Sequence, residues 1–429
     1  MTKTYSRLVW WSAALLSVLL ILMPFHAFFV TVAGHVFGYK GAISAWKEVV
    51  IIILSISALL YWLKHRVVIK LDTVNSLALG IVGLSLLVGI ANLAYHTSFL
   101  VGLKTNIFPL FLFAVAQVFS ESFTDKKLRY LLFVPAVLVT ILAILQPYLF
   151  HPSLLLKIGY GPEGASGTIL AGQYIESAAT TVRAFSTLGG PNQLGTYLLI
   201  PALAAVSFFI FQKKWQYLGL AILFSVGVYI TYSRSALIGL VFGIAVLVAL
   251  KLPSKLRLAT FVSLALILGG LFFLLLSPNQ CNYVDALPKS LIHGSCESGL
   301  LSGSDKQRVE SQHNGVVAIA KQPFGYGLGS AGPASFYNAK PLITENWYLQ
   351  IAVEIGVLGL LLYLAFFVLL GREFYQIRSR KSTDHIWPSA GLAIIIAIGV
   401  ASMFLHAPAD STLSIIGFSL FGIIKGRNT

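Results

Sequence analysis

Twelve apolar runs follow one another along this chain of 429 residues, nearly all about as long as a helix needs to cross a hydrocarbon layer roughly 30 Å thick. Inside such a layer every backbone N–H and C=O must find its partner within the protein, so runs of this kind fold as helices. They lie near residues 8–30, 43–63, 73–93, 99–119, 129–150, 191–211, 215–232, 235–250, 257–276, 346–370, 387–404 and 409–424. The composition agrees, because a chain 57% hydrophobic and 10% charged lacks the polar surface to cover a soluble globule. The expectation is an all-α, polytopic membrane protein with about twelve transmembrane helices. The first run follows Lys3 and Arg7 as a signal peptide would, but it is too long for one and passes Pro24 and His26 without a small-residue cleavage site. It reads as a retained span.

Basic residues near span ends tend to stay cytoplasmic, and their distribution sets an orientation. With the N-terminus inside, alternate connections carry nineteen of the thirty lysines and arginines, from Lys3 and Arg7 through Lys126, Lys127 and Arg129 to Lys425 and Arg427. Both termini are then cytoplasmic. Most of the +15 formal charge is thus explained by topology and by anionic headgroups, and nucleic acid is not expected as a partner. The chain divides into helices one to five (1–150), an outer loop (151–190), helices six to nine (191–276), a large outer loop before the tenth helix (277–345) and helices ten to twelve (346–429). Loops this long are often functional. The larger one holds both cysteines of the chain, Cys281 and Cys296, which on an oxidising face read as a disulfide closing a small loop. With only His293 nearby and no CxxC spacing, a metal site is not expected there.

Eleven basic residues fall on the outer side, where orientation gives no reason for them. Arg234, in "YITYSRSALIGL", sits among Thr231, Tyr232, Ser233 and Ser235, hydroxyls able to share an anion with a guanidinium. Alone, it reads equally as an anchor snorkelling to headgroups. Arg183 opens "RAFSTLGGPNQLG", where Pro191 and Asn192 start the sixth span and can turn backbone N–H groups towards an anion. Arg308, in "DKQRVESQHN", adds a third from the large loop. Three arginines from three outer segments point to a site for a polyanion.

Further along, Gly325, Gly327 and Gly329 spell a GxGxG run without the strand–turn–helix context of a nucleotide fingerprint; it reads as a tight backbone path under a large ligand or as a plain turn. Glu345, followed by Asn346 and Tyr348 at the mouth of the tenth span, reads as a base or as a helix cap. Glu354, about 13 Å deeper along the helix, reads as a structural hydrogen-bonding group. Lys104 and the Lys47–Glu48 pair lie near the outer side, where contact with phosphate or sugar and simple span-end anchoring explain them about equally well. Trp347, Tyr348, Tyr326 and Phe336 can stack on sugars, although interfacial belts use the same residues. A transporter of the same substrate would carry broken helices and two corresponding halves; no internal repeat is visible, and the informative residues crowd one face.

The segments "RAFSTLGGPNQLG", "TYSRSALIGL", "RVESQHNGVVAIAKQPFGYGLG" and "ENWYLQIAVEIGVLGLLLYL", in this order over about residues 180–370, resemble the bacterial O-antigen ligases and the related O-antigen polymerases, as does "WKEVVIIIL" at the second span. The resemblance implies a GT-C-like inner-membrane glycosyltransferase that takes a glycan from an undecaprenyl pyrophosphate carrier on the extracytoplasmic face. It passes that glycan to a hydroxyl of a glycan or glycolipid acceptor, with no metal or other cofactor. By the same resemblance Arg183, Arg234 and Arg308 hold the pyrophosphate and Glu345 stands where the base that draws the proton from the acceptor belongs; from their own position and chemistry Lys104 is expected to join the pyrophosphate contacts, and Asn192, Ser233, Asn346 and Tyr348 to contact substrate. Typical ligases place His before Asn where this chain has Glu345 before Asn346. That departure leaves the polymerase, with a second lipid-linked repeat as acceptor, as the alternative. His313 and His406 are outer-side histidines able to take the missing role.

Overall fold

The computed structural model of the chain describes residues 3–65, 71–92, 96–162, 168–175, 178–276, 296–297, 300–301, 304–379 and 385–428. In chain order the helices are α1 (Lys3–Leu22), α2 (His26–Phe37), α3 (Lys40–Ser44), α4 (Trp46–His65), α5 (Thr73–Ala91), α6 (His96–Asn106), α7 (Phe108–Val118), α8 (Asp125–Leu149) and α9 (Pro152–Lys157). There follow α10 (Pro191–Gln212), α11 (Trp215–Ile230), α12 (Arg234–Ala249), α13 (Ser254–Leu276), α14 (Ser304–Lys321), α15 (Trp347–Ser379), α16 (Ile386–Ala401) and α17 (Ser411–Gly426). Two small antiparallel hairpins complete the described residues. One pairs β1 (Tyr174–Ile175) with β2 (Ala178–Val182), and the other pairs β3 (Cys296–Glu297) with β4 (Leu300–Leu301).

Every expected span falls on helix. Among the described residues seven helical segments suffice by length and composition to cross a membrane, and the apolar helices α11, α12, α16 and α17 are shorter, at 16 residues each. The protein is a multi-pass, all-α membrane protein. At its centre stands α10, apolar on all sides and buried almost continuously from Leu194 to Ala205, as a helix surrounded by other helices must be. Its neighbours α11, α12, α16 and α17 wrap it, so its N-terminal residues Pro191 and Asn192 are held at a fixed point of one end of the bundle.

Three expected spans are broken rather than continuous. Pro24 interrupts the first, giving a tight turn at Met23–Phe25 between α1 and α2. Pro109, in the first turn of α7, divides the fourth at Ile107. The third break, in α15, comes at Ile355 and Gly356, whose φ of 78° only glycine adopts readily. There the loop 323–329 takes over the freed backbone groups: Tyr326 N donates to Val353 O, Gly327 N to Glu354 O, and Val357 N to Pro323 O. Gly329 is pressed so close to Ser98 and Gly102 of α6 that a Cβ would collide with backbone. The glycine run therefore serves a helix break, and of the two readings given to it the path beneath a ligand is not the one observed. Glu354 closes this joint, its carboxylate accepting from Asn106 Nδ2 (2.8 Å), Gly329 N (3.2 Å) and Gln350 Nε2 (3.3 Å). The break in α15 is thus rejoined by protein.

At the other end of the bundle the fully buried Lys425, near the end of α17, lies 2.5 Å from Asp72 Oδ2 and 2.6 Å from Glu373 Oε1. Asp72 also caps α5, accepting from Asn75 N. One ammonium therefore ties three helices together.

Candidate functional site

The loop after β2 is fixed by buried polar groups before it offers any side chain. Gln146 Oε1 accepts from Phe185 N (2.9 Å) and Ser186 N (2.8 Å), Ser186 Oγ donates to Val139 O, and Thr187 Oγ1 donates to Pro24 O. Arg183, at the start of this loop, donates through Nε to Thr231 O and through Nη2 to Asn192 Oδ1, both at 3.0 Å. One guanidinium so joins the first turn of α10 to the connection between α11 and α12.

That connection is a tight turn. Thr231 Oγ1 donates to Val228 O and accepts from Ser233 N, Tyr232 takes a left-handed φ of 51°, and Arg234 begins α12. Ser186 and Glu345 are also left-handed, with φ of 54° and 47°, so three of the four non-glycine residues of this kind among the described residues lie on segments carrying the expected site.

Arg308, on α14, comes within 3.7 Å of Glu345 Oε2. Burial, and then the charges of Arg234 and Arg308, push the Arg183 guanidinium down to about 10, so it stays cationic at neutral pH while feeling both of the others. Arg183 thus lies within electrostatic range of Arg234 and Arg308.

A cavity of 410 Å³ opens beside them, lined among others by Asn192, Glu345, Lys104, Lys47, Glu48 and His406. Glu345 sits just before the first turn of α15, but it is Asn346 that caps the helix, its Oδ1 accepting from Tyr348 N and Leu349 N. The carboxylate of Glu345 is left facing Arg308 and the cavity. Asn346 Nδ2 donates to Met403 O, and the Tyr348 hydroxyl donates to Gly399 O. These two residues line a separate apolar cavity of 810 Å³ between α15, α16 and α17. Ser233 is buried, with its Oγ 3.2 Å from that of Ser235 within the turn. Of the residues expected to touch substrate, Asn192 alone borders the polar cavity, and the other three hold local structure. Cys281 lies outside the described residues, and with it the expected disulfide to Cys296.

Two cavity residues carried little weight in the sequence. The expected span 409–424 absorbs Asp410, which caps α17 by accepting from Leu413 N (3.0 Å) and borders the cavity; the signal was an Asp followed by Ser411 and an apolar run. His406 lies 3.0 Å through Nε2 from Thr344 Oγ1. Because Thr344 gives its own hydroxyl proton to Asn346 O, it accepts from Nε2–H, which leaves Nδ1 as the unprotonated nitrogen. Burial pushes His406 down to about 4, so the ring is neutral at physiological pH.

Residues 219–364 match the family model described as O-antigen ligase, a stretch that takes in Arg234, Arg308, Glu345 and Glu354. A curated O-antigen polymerase of Salmonella muenchen is similar to this chain, with 27% identity over 155 residues, covering 33% of this chain and 37% of that protein. The chain spans little more than a third of the length of the relative it matches. Over these stretches the chain is similar to the O-antigen ligases and polymerases.

Proposed function

We propose that the protein is a membrane glycosyltransferase of the O-antigen ligase and polymerase kind, moving a glycan from an undecaprenyl pyrophosphate carrier to an acceptor hydroxyl. The observation that carries this reading is the convergence of Arg183, Arg234 and Arg308, from three separate segments, beside a cavity that also presents Glu345. The acceptor oxygen attacks the anomeric carbon while its proton passes to the Glu345 carboxylate. The bond from that carbon to the diphosphate oxygen breaks, and its electron pair leaves with the carrier. Charge grows on the diphosphate as this happens, and guanidinium groups fixed in advance stabilise it without reorganising. In this reading they supply what a divalent cation supplies elsewhere, so transfer proceeds in a chelator. In this reading the site faces the extracytoplasmic side of a bacterial inner membrane with both termini inside, an orientation that the lysine and arginine distribution supports.

The polymerase form, in which the acceptor is a second lipid-linked repeat, is favoured by the name of the relative and by Glu345 standing where typical ligases have His. Purified protein in lipid nanodiscs, given a lipid-linked repeat unit and EDTA, tests both forms. A ladder of lengthening carrier-bound products marks a polymerase, turnover only with an added second acceptor marks a ligase, and no transfer under either condition refutes the reading. Glu345→Gln is expected to lower kcat about 100-fold or more with little change in the KM for donor, as loss of a general base does. A change in donor KM alone would remove Glu345 from the base role.

A further inference from the structure

The polar cavity has two ends of different chemistry. One end is lined by Asn192 and Glu345, which are contacted by Arg183 and Arg308 standing behind the lining. At the other end, formed by the starts of α4 and α17 and the end of α6, formal charges balance: Lys47 and Lys104 against Glu48 and Asp410. Lys47 Nζ is taken up by Glu48 Oε1 (3.3 Å), His26 Nε2 (2.9 Å) and Ser44 O (3.2 Å). Lys104 Nζ also approaches Glu48 Oε1, at 3.6 Å, and its side chain keeps 38% exposure. The second oxygen, Glu48 Oε2, is shut away from bulk solvent and has no hydrogen-bond partner among the described residues. A carboxylate oxygen in that position is an acceptor lacking its donor. Thr105, Gln193, Thr196, Ser411 and Ser414 complete this end with neutral groups that donate and accept.

A diphosphate needs an excess of positive charge, which this end does not offer. Sugar hydroxyls need donors and acceptors side by side, which it does. We infer that the Glu48–Lys104 end of the cavity binds the acceptor sugar through its hydroxyls, so that Lys104 belongs to the acceptor and not to the carrier diphosphate. Lys104, whose side chain keeps 38% exposure, donates to a hydroxyl or ring oxygen of that sugar, while Glu48 holds its ammonium in place from 3.6 Å. The acceptor then needs no phosphate to be recognised, and a repeat-unit oligosaccharide released from its carrier serves. This assignment rests on the transferase reading and reverses the placing of Lys104 expected from sequence.

The test is steady-state transfer by the full chain in nanodiscs, with a lipid-linked repeat as donor and the released oligosaccharide as acceptor, each varied at saturating levels of the other. Lys104→Ala, which leaves the Lys47–Glu48 pair in place, is expected to raise the acceptor KM about ten-fold, the loss typical of one hydrogen bond to a charged group. The donor KM and inhibition by inorganic pyrophosphate stay as in the unaltered protein. A rise in donor KM with weakened pyrophosphate inhibition, or failure of the unaltered protein to use the released oligosaccharide while it still elongates carrier-bound repeats, would overturn the assignment and leave the transferase reading standing. No transfer by the unaltered protein to either acceptor, nor to the second acceptor that marks a ligase, would instead remove the transferase reading and this inference with it.

Discussion

The two ends of α17 treat charge in opposite ways. At its C-terminal end Lys425 is wholly buried and clamped between Asp72 and Glu373, with contacts of 2.5 to 2.7 Å. Next to it Arg427 pairs with Asp125 at 2.6 Å. Beyond Asp410 at its N-terminal end, the cavity is lined by Asn192 and Glu345, which are contacted in turn by Arg183, whose other partner is the Thr231 carbonyl, and by Arg308 at 3.7 Å. A charge matched by carboxylates at close range has no field to spare and serves the fold. Arginines brought near one another, at the cost of depressing a guanidinium, retain a field for an anion that is not part of the chain.

The largest effect separating these ends is expected from Lys425→Met. Removing the ammonium leaves two carboxylates facing each other without compensation, and breaking a buried ion pair from one side typically costs about 3–5 kcal/mol. Asp72 is one third exposed, which places the loss near the lower figure. Thermal unfolding in detergent measures it, and a variant as stable as the parent would remove the distinction between a structural and a functional end. Arg234→Ala sharpens the contrast from the other side. Melting is expected to change little, whereas transfer falls about 100-fold or more, in keeping with the loss of one preorganised donor to a developing anion. Loss of stability and activity together would mark Arg234 as another structural cation.

The smallest expected effect concerns His406. Its folded-state value of about 4 lies below the ordinary 6.5, so the unfolded chain binds the proton more readily. The stability that the neutral ring contributes is complete above pH 6.5 and is lost as pH falls towards 4. His406→Gln is expected to flatten the pH dependence of melting within that window by about one proton. An unchanged slope would mean that the ring is not held neutral in the folded protein.

Much of this was legible in the sequence, and the reasons differ by element. The helices could be read because apolar length is a local signal that survives without knowledge of the neighbours. The breaks at Ile107 and Gly356 could not, although Pro109 was in plain view, because what rejoins the second is a glycine loop docking from about thirty residues earlier in the chain. Arg183, Arg234 and Arg308 could be expected within range of one another because a membrane topology confines distant segments to one face, and Arg183 does feel the charges of the other two. Within the turns, however, side-chain direction is decided by single hydrogen bonds. Asn346 and not Glu345 became the cap, and Ser233 spends its hydroxyl on Ser235, so residues adjacent in sequence divide between site and scaffold. The second oxygen of Glu48 was invisible for the same reason, since a missing partner shows only once all the neighbours are placed.

The central claim is that three guanidinium groups jointly grip a carrier diphosphate. Equilibrium binding of undecaprenyl pyrophosphate to the protein in nanodiscs, in the presence of EDTA, tests it most directly. Arg183→Ala and Arg234→Ala are each expected to weaken that binding about thirty-fold or more, as truncating one member of a buried charge pair does, while both variants melt within a few degrees of the parent. Undiminished binding by both variants would contradict the account.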